Sequence, residues 1–227
     1  MTASLGVGGK EVFKRIGLFG GTFDPVHKGH LALARSALKG LNLDRVIFIP
    51  VRRSPFKPKI SISGSAHRLK MLRLSLRGMK KCAVSDCEIR RPGPSYTVDT
   101  VRKFRKKYPR GALFLILGSD ALAGFKRWKN WKEILNLCVL AVGRRKGTKG
   151  KAPRGLEKKI VFLKPPMPNV SSTEVRKAQE KGKSFSVSVP KPVQDYIREK
   201  GLYEGRSADH FSRPLPRGRL KTGSMNE

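Results

Sequence analysis

Short runs of apolar residues alternate along this chain with longer stretches in which apolar residues recur every three or four positions. The run at 15–20 predicts a buried strand, and the spacing over 29–41 predicts the helix that follows it. The same alternation predicts further helices over 65–77 and 97–108 and further strands over 46–50, 83–85, 113–117, 139–142 and 160–163. Because strands separated by helices pair in parallel through right-handed crossovers, the pattern predicts an α/β fold with a doubly wound parallel sheet.

Two segments interrupt this alternation. The stretch 143–155 is rich in glycine and basic residues and has little to bury, which is typical of a surface loop. After Tyr203 the chain is too polar to repay the entropy of ordering. We therefore expect one domain over residues 1–203 and a basic, disordered tail over 204–227.

The cellular setting is predicted from what the sequence lacks. No segment approaches the roughly 20 apolar residues of a membrane-spanning helix, and the first residues lack the apolar stretch of a secretory signal. The three cysteines, Cys82, Cys87 and Cys138, are an odd number without CxxC spacing, so neither a disulfide framework nor a zinc cluster is indicated. A cytoplasmic protein with reduced thiols and no membrane partner is expected.

The charge of the chain raises a competing interpretation. Fifty Lys and Arg stand against 16 Asp and Glu, giving a formal net charge of +34 that would attract any polyanion. A nucleic-acid binder would concentrate this charge on one element and interleave aromatic residues, whereas here the basic residues are dispersed and aromatics make up 7% of the chain. A generally basic surface without a specific nucleic-acid partner is favoured, and a basic nucleic-acid-binding protein stays the alternative.

Candidate chemistry begins at the first strand-to-helix turn, GGTFDPVHKGH over residues 20–30. Gly20 and Gly21 allow a tight turn whose N–H groups can face an anion, and the next helix directs its positive N-terminus to the same place. His27 and His30 are three residues apart, so both imidazoles can point to one side of this cradle, and Gly29 keeps the approach open. Alone, each feature could equally be an ordinary turn or a coincidence.

The complete string is more specific than its parts. GGTFDPVHKGH resembles the signature of the nucleotidyltransferases that share a histidine motif with class I aminoacyl-tRNA synthetases, and it is most similar to the nicotinate-nucleotide adenylyltransferases. The resemblance continues in RPGPSYT (91–97), in GSD (118–120) with the tryptophan segment after it, in VSSTEVR (170–176) and in VPKPVQDYIREKGLY (189–203). It implies a Rossmann-like domain with a small helical C-terminal part.

The resemblance also implies an activity: transfer of the adenylyl group of ATP to nicotinic acid mononucleotide, giving deamido-NAD and pyrophosphate. Because the attacking phosphate is already anionic, alignment and charge neutralisation are the tasks left to the protein. Mg²⁺ would be held mainly by the ATP phosphates. Nicotinamide mononucleotide and phosphopantetheine stay open as alternative acceptors, and the oligomeric state is left open.

The resemblance also implies roles for individual residues of this chain. His27, His30 and Arg176 would be catalytic through their contacts with the ATP phosphates. ATP would further be bound by Gly20, Gly21, Thr22, Phe23, Asp24, Lys57, Ser172 and Thr173. The acceptor would be bound by Tyr96, Thr97, Asp120 and Trp128.

Structural explanations accompany some of these residues. Ser171 and Glu174 have the spacing of a capping box, which initiates a helix without any ligand. Trp128 and Trp131 would share one helical face if that stretch is helical; we predict that Trp128 stacks on the acceptor ring and that Trp131 packs in the core. The chain also departs from the family at Phe56, where relatives carry a histidine, and a phenyl ring cannot donate to an anion.

Overall fold

A six-stranded, all-parallel sheet forms the centre of the protein, for which a computed structural model describes residues 14–55, 63–145 and 152–204. The strands in chain order are β1 (Arg15–Gly21), β2 (Arg45–Pro50), β3 (Cys82–Val84), β4 (Ala112–Gly118), β5 (Val139–Arg145) and β6 (Ile160–Met167). They are arranged in the order β3-β2-β1-β4-β5-β6. The predicted doubly wound, Rossmann-like α/β sheet is confirmed.

Helices cover both faces of the sheet. They are α1 (Lys28–Gly40), α2 (Ser65–Ser75), α3 (Cys87–Arg90), α4 (Thr97–Lys107), α5 (Ser119–Ala123), α6 (Trp131–Leu137), α7 (Ser172–Glu180) and α8 (Lys191–Glu199). One buried cluster joins α1, α2, α7 and α8 to the sheet, and a second joins α3, α4, α5 and α6 to its other face. Helices α7 and α8 are the small helical C-terminal part that the sequence predicts.

The site is positioned by the point where the strand order reverses. From β1 the chain proceeds outward through β2 to β3, and it then returns to place β4 on the other side of β1. Leu18 of β1 pairs with Leu115 of β4. Connections that leave two neighbouring parallel strands in opposite directions open a crevice at their carboxyl ends. A ligand site is therefore expected where β1 and β4 end.

Element boundaries agree with the sequence predictions to within two residues, with two exceptions. Strand β5 continues to Arg145 and so takes in the start of the predicted loop at 143–155, and β6 continues to Met167. The short helices α3, α5 and α6 are not predicted, because four to seven residues hold too few turns to show a helical period.

The remaining chain-level predictions are tested only in part. Residues 205–227 lie outside the described residues, so the disorder predicted for the tail stays a prediction. None of the helices within 14–55, 63–145 and 152–204 is long and apolar enough to span a membrane. All three cysteines are free thiols, and burial raises the pKa of Cys82 to about 11 and that of Cys138 to about 12.

Candidate active site

A cleft of about 680 Å³ opens at the carboxyl ends of β1 and β4, where the strand order reverses. This volume lies within the range of small-molecule sites. Eight residues predicted for the site line the cleft together: Gly20, Gly21, Thr22, His27 and His30 from the first strand-to-helix segment, and Thr97, Asp120 and Trp128 from the other face of the sheet.

His27 and His30 cap the N-terminus of α1, each accepting a hydrogen bond from the backbone N–H of the other. Nδ1 of His27 accepts from the backbone N–H of His30 at 3.3 Å, and Nδ1 of His30 accepts from that of His27 at 3.2 Å, which makes a reciprocal capping box. The two rings stack with 3.6 Å between their centroids. Because each Nδ1 is an acceptor, the neutral rings carry their protons on Nε2. The predicted pairing on one side is found, and the cap fixes the tautomer.

The glycine between the two histidines has a steric reason. A Cβ on Gly29 would lie 3.0 Å from Nδ1 of His27, closer than most side-chain contacts allow. A larger residue at position 29 would require the His27 ring to shift by a few tenths of an ångström. The space that the sequence suggests at Gly29 is therefore occupied by the His27 ring.

Phe23 is part of the hydrophobic core. Its side chain is buried, and its ring meets those of Phe19 and His30 edge-on, with centroids 5.3 and 5.0 Å apart. The backbone at Phe23 is left-handed, with φ 52°, and Gly21 leaves room for the ring, since a Cβ there would lie 2.9 Å from it. Any contribution of Phe23 to nucleotide binding is restricted to its backbone.

Asp24 is held by the protein at both its carboxylate and its carbonyl. The carboxylate, 1% exposed, accepts hydrogen bonds from the backbone N–H and hydroxyl of Ser63 and from the hydroxyl of Tyr203, the last at 2.7 Å. The carbonyl accepts from Nη1 of Arg176 at 2.7 Å. Burial and the neighbouring Asp24 raise the pKa of Tyr203, so its hydroxyl stays a donor. The predicted ATP contact of Asp24 is thereby restricted to its backbone N–H.

Arg68, a buried residue of α2, contacts this turn and was missed by sequence reasoning. Its side chain is 1% exposed, and Nη1 donates to the carbonyls of Thr22 at 3.0 Å and Val51 at 2.8 Å. Burial lowers the pKa of Arg68, and the charge of Asp24 opposes that shift. An arginine within an amphipathic helix is ordinarily expected on the surface, so the sequence gives no signal for this role.

The N-terminus of α7 lies against the same turn. Ser171 and Glu174 form the predicted capping box, with both reciprocal hydrogen bonds present. Ser172 donates from its hydroxyl to the carbonyl of Pro25 at 3.0 Å, while Nη2 of Arg176 approaches the hydroxyl of Thr173 at 3.4 Å. The second phosphate motif is thus brought to the first, and the phosphate contacts of Ser172, Thr173 and Arg176 stay a prediction.

The opposite wall of the cleft is built around the start of α4. Thr97 is the first residue of this helix, and Tyr96 precedes it with its ring under the ammonium of Lys129, 4.4 Å away. One turn further, the hydroxyl of Thr100 donates to Oε1 of the buried Glu88 at 2.5 Å. Both Glu88 and Thr100 line the cleft, and neither is predicted from the sequence.

Glu88 has an unusual electrostatic environment. Burial raises the pKa of its carboxyl, while the hydrogen bond from Thr100 and the charge of Arg91 oppose the shift. Its second carboxyl oxygen, Oε2, is buried without a hydrogen-bond partner in the described part of the chain. An unpaired buried carboxylate oxygen is costly, so it disfavours the charged form of Glu88 in the same direction as burial does.

The two tryptophans do not share one helix. Trp128 follows the 3₁₀ turn Phe125–Arg127, whereas Trp131 is the first residue of α6, and Asn130 between them has a left-handed backbone with φ 51°. Both rings are half-buried and pack against Phe125. The stretch is not one helix, so the condition for a common helical face is not met, while Trp128 still lines the cleft.

The loop after β2 is described only in part. Phe56 and Lys57 lie outside the described residues, so the contact predicted for Lys57 stays a prediction. Arg52 is engaged with the opposite wall, since its backbone N–H donates to the hydroxyl of Ser95 at 3.1 Å and Nη1 donates to the carbonyl of Arg91 at 3.3 Å.

Comparisons with known proteins agree with this site. Residues 18–178 match the model of the cytidylyltransferase-like family. The chain is 40% identical over 201 residues to a probable nicotinate-nucleotide adenylyltransferase of Neisseria meningitidis serogroup B, covering 84% of this chain and 99% of that protein. It is 39% identical over 196 residues to a protein of the same name from a Synechococcus strain, covering 84% of this chain and 95% of that protein.

A solved structure shows the same fold. The nicotinic acid mononucleotide adenylyltransferase of Plasmodium falciparum, complexed with NaAD, superposes with a TM-score of 0.71 at 20% identity. The match covers 84% of this chain and 97% of the Plasmodium chain.

Proposed function

Because the chain belongs to the cytidylyltransferase-like family, and within it to the nicotinate-nucleotide adenylyltransferases, we propose that it transfers the adenylyl group of ATP to nicotinic acid mononucleotide. The products are deamido-NAD and pyrophosphate, which places the reaction in NAD biosynthesis. One observation carries the proposal: the His27–His30 pair and the Thr97–Trp128 wall line a single cleft.

The reaction is an in-line displacement at the α-phosphorus of ATP. The 5′-phosphate of the acceptor attacks, the bond from the α-phosphorus to the bridging oxygen breaks, and pyrophosphate leaves. Since the nucleophile is already an anion, the reaction needs no catalytic base. The protein has to align two charged nucleotides and to stabilise the negative charge that develops on the triphosphate.

The histidine pair suits this second task. The capping box commits both Nδ1 atoms to backbone N–H groups, so each neutral ring offers an N–H donor at Nε2. A donor whose orientation is fixed before the substrate binds has no reorganisation to undergo during the reaction. We assign His27 and His30 to the phosphates of ATP, with the backbone of 20–24 holding the nucleotide.

The arginine of α7 suits both binding and positioning. Arg176 reaches the carbonyl of Asp24 with one nitrogen, and its helix begins with the hydroxyls of Ser172 and Thr173. A helix N-terminus with two hydroxyls and a guanidinium favours an anion. We assign this group to the β- and γ-phosphates of ATP.

Mg²⁺ would enter with ATP. Within the described residues no group of three or more His, Cys, Asp or Glu side chains is placed to hold a metal ion. A magnesium ion, which keeps several of its waters, would therefore be held mainly by the phosphates and would neutralise their charge. The three free cysteines support a cytoplasmic location.

The test is release of pyrophosphate from ATP with each of three acceptors: nicotinic acid mononucleotide, nicotinamide mononucleotide and phosphopantetheine. We expect nicotinic acid mononucleotide to have by far the highest kcat/KM, because a site built for a carboxylate leaves a contact unpaired when an amide faces it. Equal kcat/KM values for the two mononucleotides would contradict the assigned acceptor. Absence of pyrophosphate release with all three would contradict the enzyme assignment.

A further inference from the structure

The two edges of the sheet, where its strands begin and where they end, differ in charge. All six strands are parallel, so each begins at one edge and ends at the other, where the cleft lies. Among the described residues in the five positions before each strand, eight are exposed Lys or Arg and two are acidic. Among those in the five positions after each strand, two are basic and four are acidic. The edge away from the cleft is therefore the basic one.

The eight exposed residues form what we call the basic edge. Although they are dispersed along the sequence, they precede β3, β1, β4 and β6, which together reach from one end of the sheet to the other. Since neighbouring strands lie about 4.8 Å apart, the basic edge is a row roughly 24 Å long. Its members are Lys14, Arg77, Lys80, Lys81, Lys107, Arg110, Lys158 and Lys159.

The protein itself leaves these charges largely uncompensated. None of the eight side chains forms a salt bridge with another described residue. The two acidic residues at this edge are engaged by backbone N–H groups instead. Oδ2 of Asp44 accepts from Lys14 at 2.7 Å and from Arg15 at 2.8 Å, and Oε1 of Glu157 accepts from Gly155 at 3.1 Å. A row of cations thus faces solvent.

Helix ends explain only part of this row. A basic residue near the C-terminus of a helix is stabilised by the helix dipole, and Lys107 is the last residue of α4. Lys14, Lys80 and Lys81, however, lie outside the helices. Like charges held close together repel one another and destabilise the compact state. An anionic partner at the basic edge would relieve that repulsion.

The shape of the row favours a rod of regularly spaced anions. A nucleic-acid duplex carries one negative charge per about 1.7 Å, so roughly 14 phosphates span the basic edge. A single strand would need aromatic rings for its bases. The one aromatic residue described in the segments before the strands, Tyr108, is half-buried with the ammonium of Lys107 over its ring. A membrane surface would favour exposed apolar side chains, and of the two large ones in the described chain only Val161 lies near this edge.

We propose that the basic edge binds the phosphate backbone of a nucleic-acid duplex, without reading its sequence and without occupying the cleft. Lysine and arginine contacts to phosphates do not distinguish the bases. Their affinity comes from the release of counterions and falls steeply with salt. The inference goes beyond the proposed function and does not depend on it, because the duplex and the nucleotides would bind at opposite edges of the sheet.

The experiment compares two triple variants with the same net charge. The first removes three charges from the basic edge: Lys80→Gln, Lys81→Gln and Lys158→Gln. The control removes three exposed lysines from α7 and the turn after it: Lys177→Gln, Lys181→Gln and Lys183→Gln. That turn leads to the N-terminus of α1, where the N–H of Lys28 donates to the carbonyl of Ser188 at 2.8 Å, on the cleft side of the sheet.

Binding to a labelled DNA duplex of about 20 base pairs is followed by fluorescence anisotropy at several salt concentrations. Each lost phosphate contact lowers the slope of log K against log salt by about 0.9, so the basic-edge variant should lose about 2–3 in slope and weaken binding about tenfold or more at low salt. The control should lose less than about 1. A second duplex of unrelated sequence should bind the wild type equally well. Equal losses in the two variants, or a strong preference for one duplex, would overturn the inference.

Further measurements test the place of binding and the kind of partner. The Kd for ATP, measured by calorimetry, should be unchanged by saturating duplex, and competition between the two would place the duplex in the cleft and overturn the inference. Tighter binding of a single strand, or a loss confined to anionic phospholipid vesicles, would also overturn it. Absence of pyrophosphate release together with the expected loss in the basic-edge variant would contradict the proposed function alone.

Discussion

The hydroxyl of Tyr203 donates to Oδ1 of Asp24 across 2.7 Å, although the two residues are 179 positions apart in the chain. This bond joins the turn after α8 to the turn that bears the candidate phosphate cradle. Ser63 and Arg68 complete the group, Ser63 at the Asp24 carboxylate and Arg68 at the carbonyls of Thr22 and Val51. The cradle is therefore shaped by residues remote from its own motif.

Replacing Tyr203 by Phe removes this bond and the 3.2 Å hydrogen bond between the same hydroxyl and Oγ of Ser63. We expect the free energy of unfolding to fall by about 1–2 kcal/mol, because a buried carboxylate loses one of its donors. The KM for ATP should rise several-fold while that for the acceptor changes little, since the cradle faces ATP. Urea unfolding and initial rates measure both effects.

Tyr196→Phe is the control for that variant. Tyr196 is on α8, and its hydroxyl lies 2.9 Å from Nδ1 of His67, away from the cradle turn. An equal rise of the KM for ATP in both variants would show that the bond to Asp24 has no special role.

His30 has two functions that different substitutions separate. His30→Ala removes both the cap and the Nε2 donor, so it should cost about 0.5–2 kcal/mol of stability and lower kcat about a hundredfold or more. His30→Asn places an oxygen where Nδ1 lies but has nothing in place of Nε2. It should keep near-normal stability and still lose about a hundredfold in kcat. Thermal unfolding and single-turnover rates distinguish the two effects. Near-normal turnover of folded His30→Asn would refute the phosphate assignment.

Glu88 makes the stability of the protein depend on pH. Because its pKa is raised in the folded state, the folded protein binds more protons than the unfolded chain, and stability falls as pH rises through the folded pKa. Glu88→Gln has no charge to bury. Its stability relative to the wild type should therefore be greater at pH 8 than at pH 5, as measured by urea unfolding at each pH.

The control for Glu88→Gln is Glu180→Gln, which changes an exposed glutamate at the end of α7. We expect this variant to follow the wild type at both pH values. A stability difference for Glu88→Gln that does not vary with pH would show that Glu88 is ionised in the folded protein across this range.

The basic excess should give weak, salt-sensitive binding to nucleic acid without sequence preference, because dispersed charges neutralise phosphates without reading bases. Deleting 205–227 should lower the salt dependence of this binding while sparing adenylyl transfer. The deletion removes five basic residues: Arg206, Arg213, Arg217, Arg219 and Lys221. Salt titrations with an unrelated duplex, run beside turnover assays, test this. Sequence-dependent binding that survives physiological salt, without pyrophosphate release, would favour a nucleic-acid function.

The sequence predicts those parts of the fold that depend on local pattern. Strands such as 113–117 are buried on both faces, so their apolar runs are continuous and easily recognised. The histidine pair is likewise contained in one short string. Both are properties of neighbouring residues.

The unpredicted parts depend on contacts between distant residues. Nothing near Asp24 in sequence indicates that its carboxylate is bound by Ser63 and Tyr203, and nothing near Arg68 indicates that this arginine is buried. The break between Trp128 and Trp131 arises from one left-handed residue, Asn130, which periodicity does not reveal.

The long-range hydrogen bonds of the first turn also determine when this turn can reach its final structure during synthesis of the protein. The cradle at 20–30 is translated well before Ser172, Arg176 and Tyr203, which contact it from 147, 152 and 179 residues further on. A growing chain on the ribosome can pair β1 with β2 long before these residues emerge. The final contacts of the turn therefore form only after almost the whole domain has been synthesised. On a ribosome stalled before Tyr203, the sheet would have a nucleotide cradle that is still incomplete.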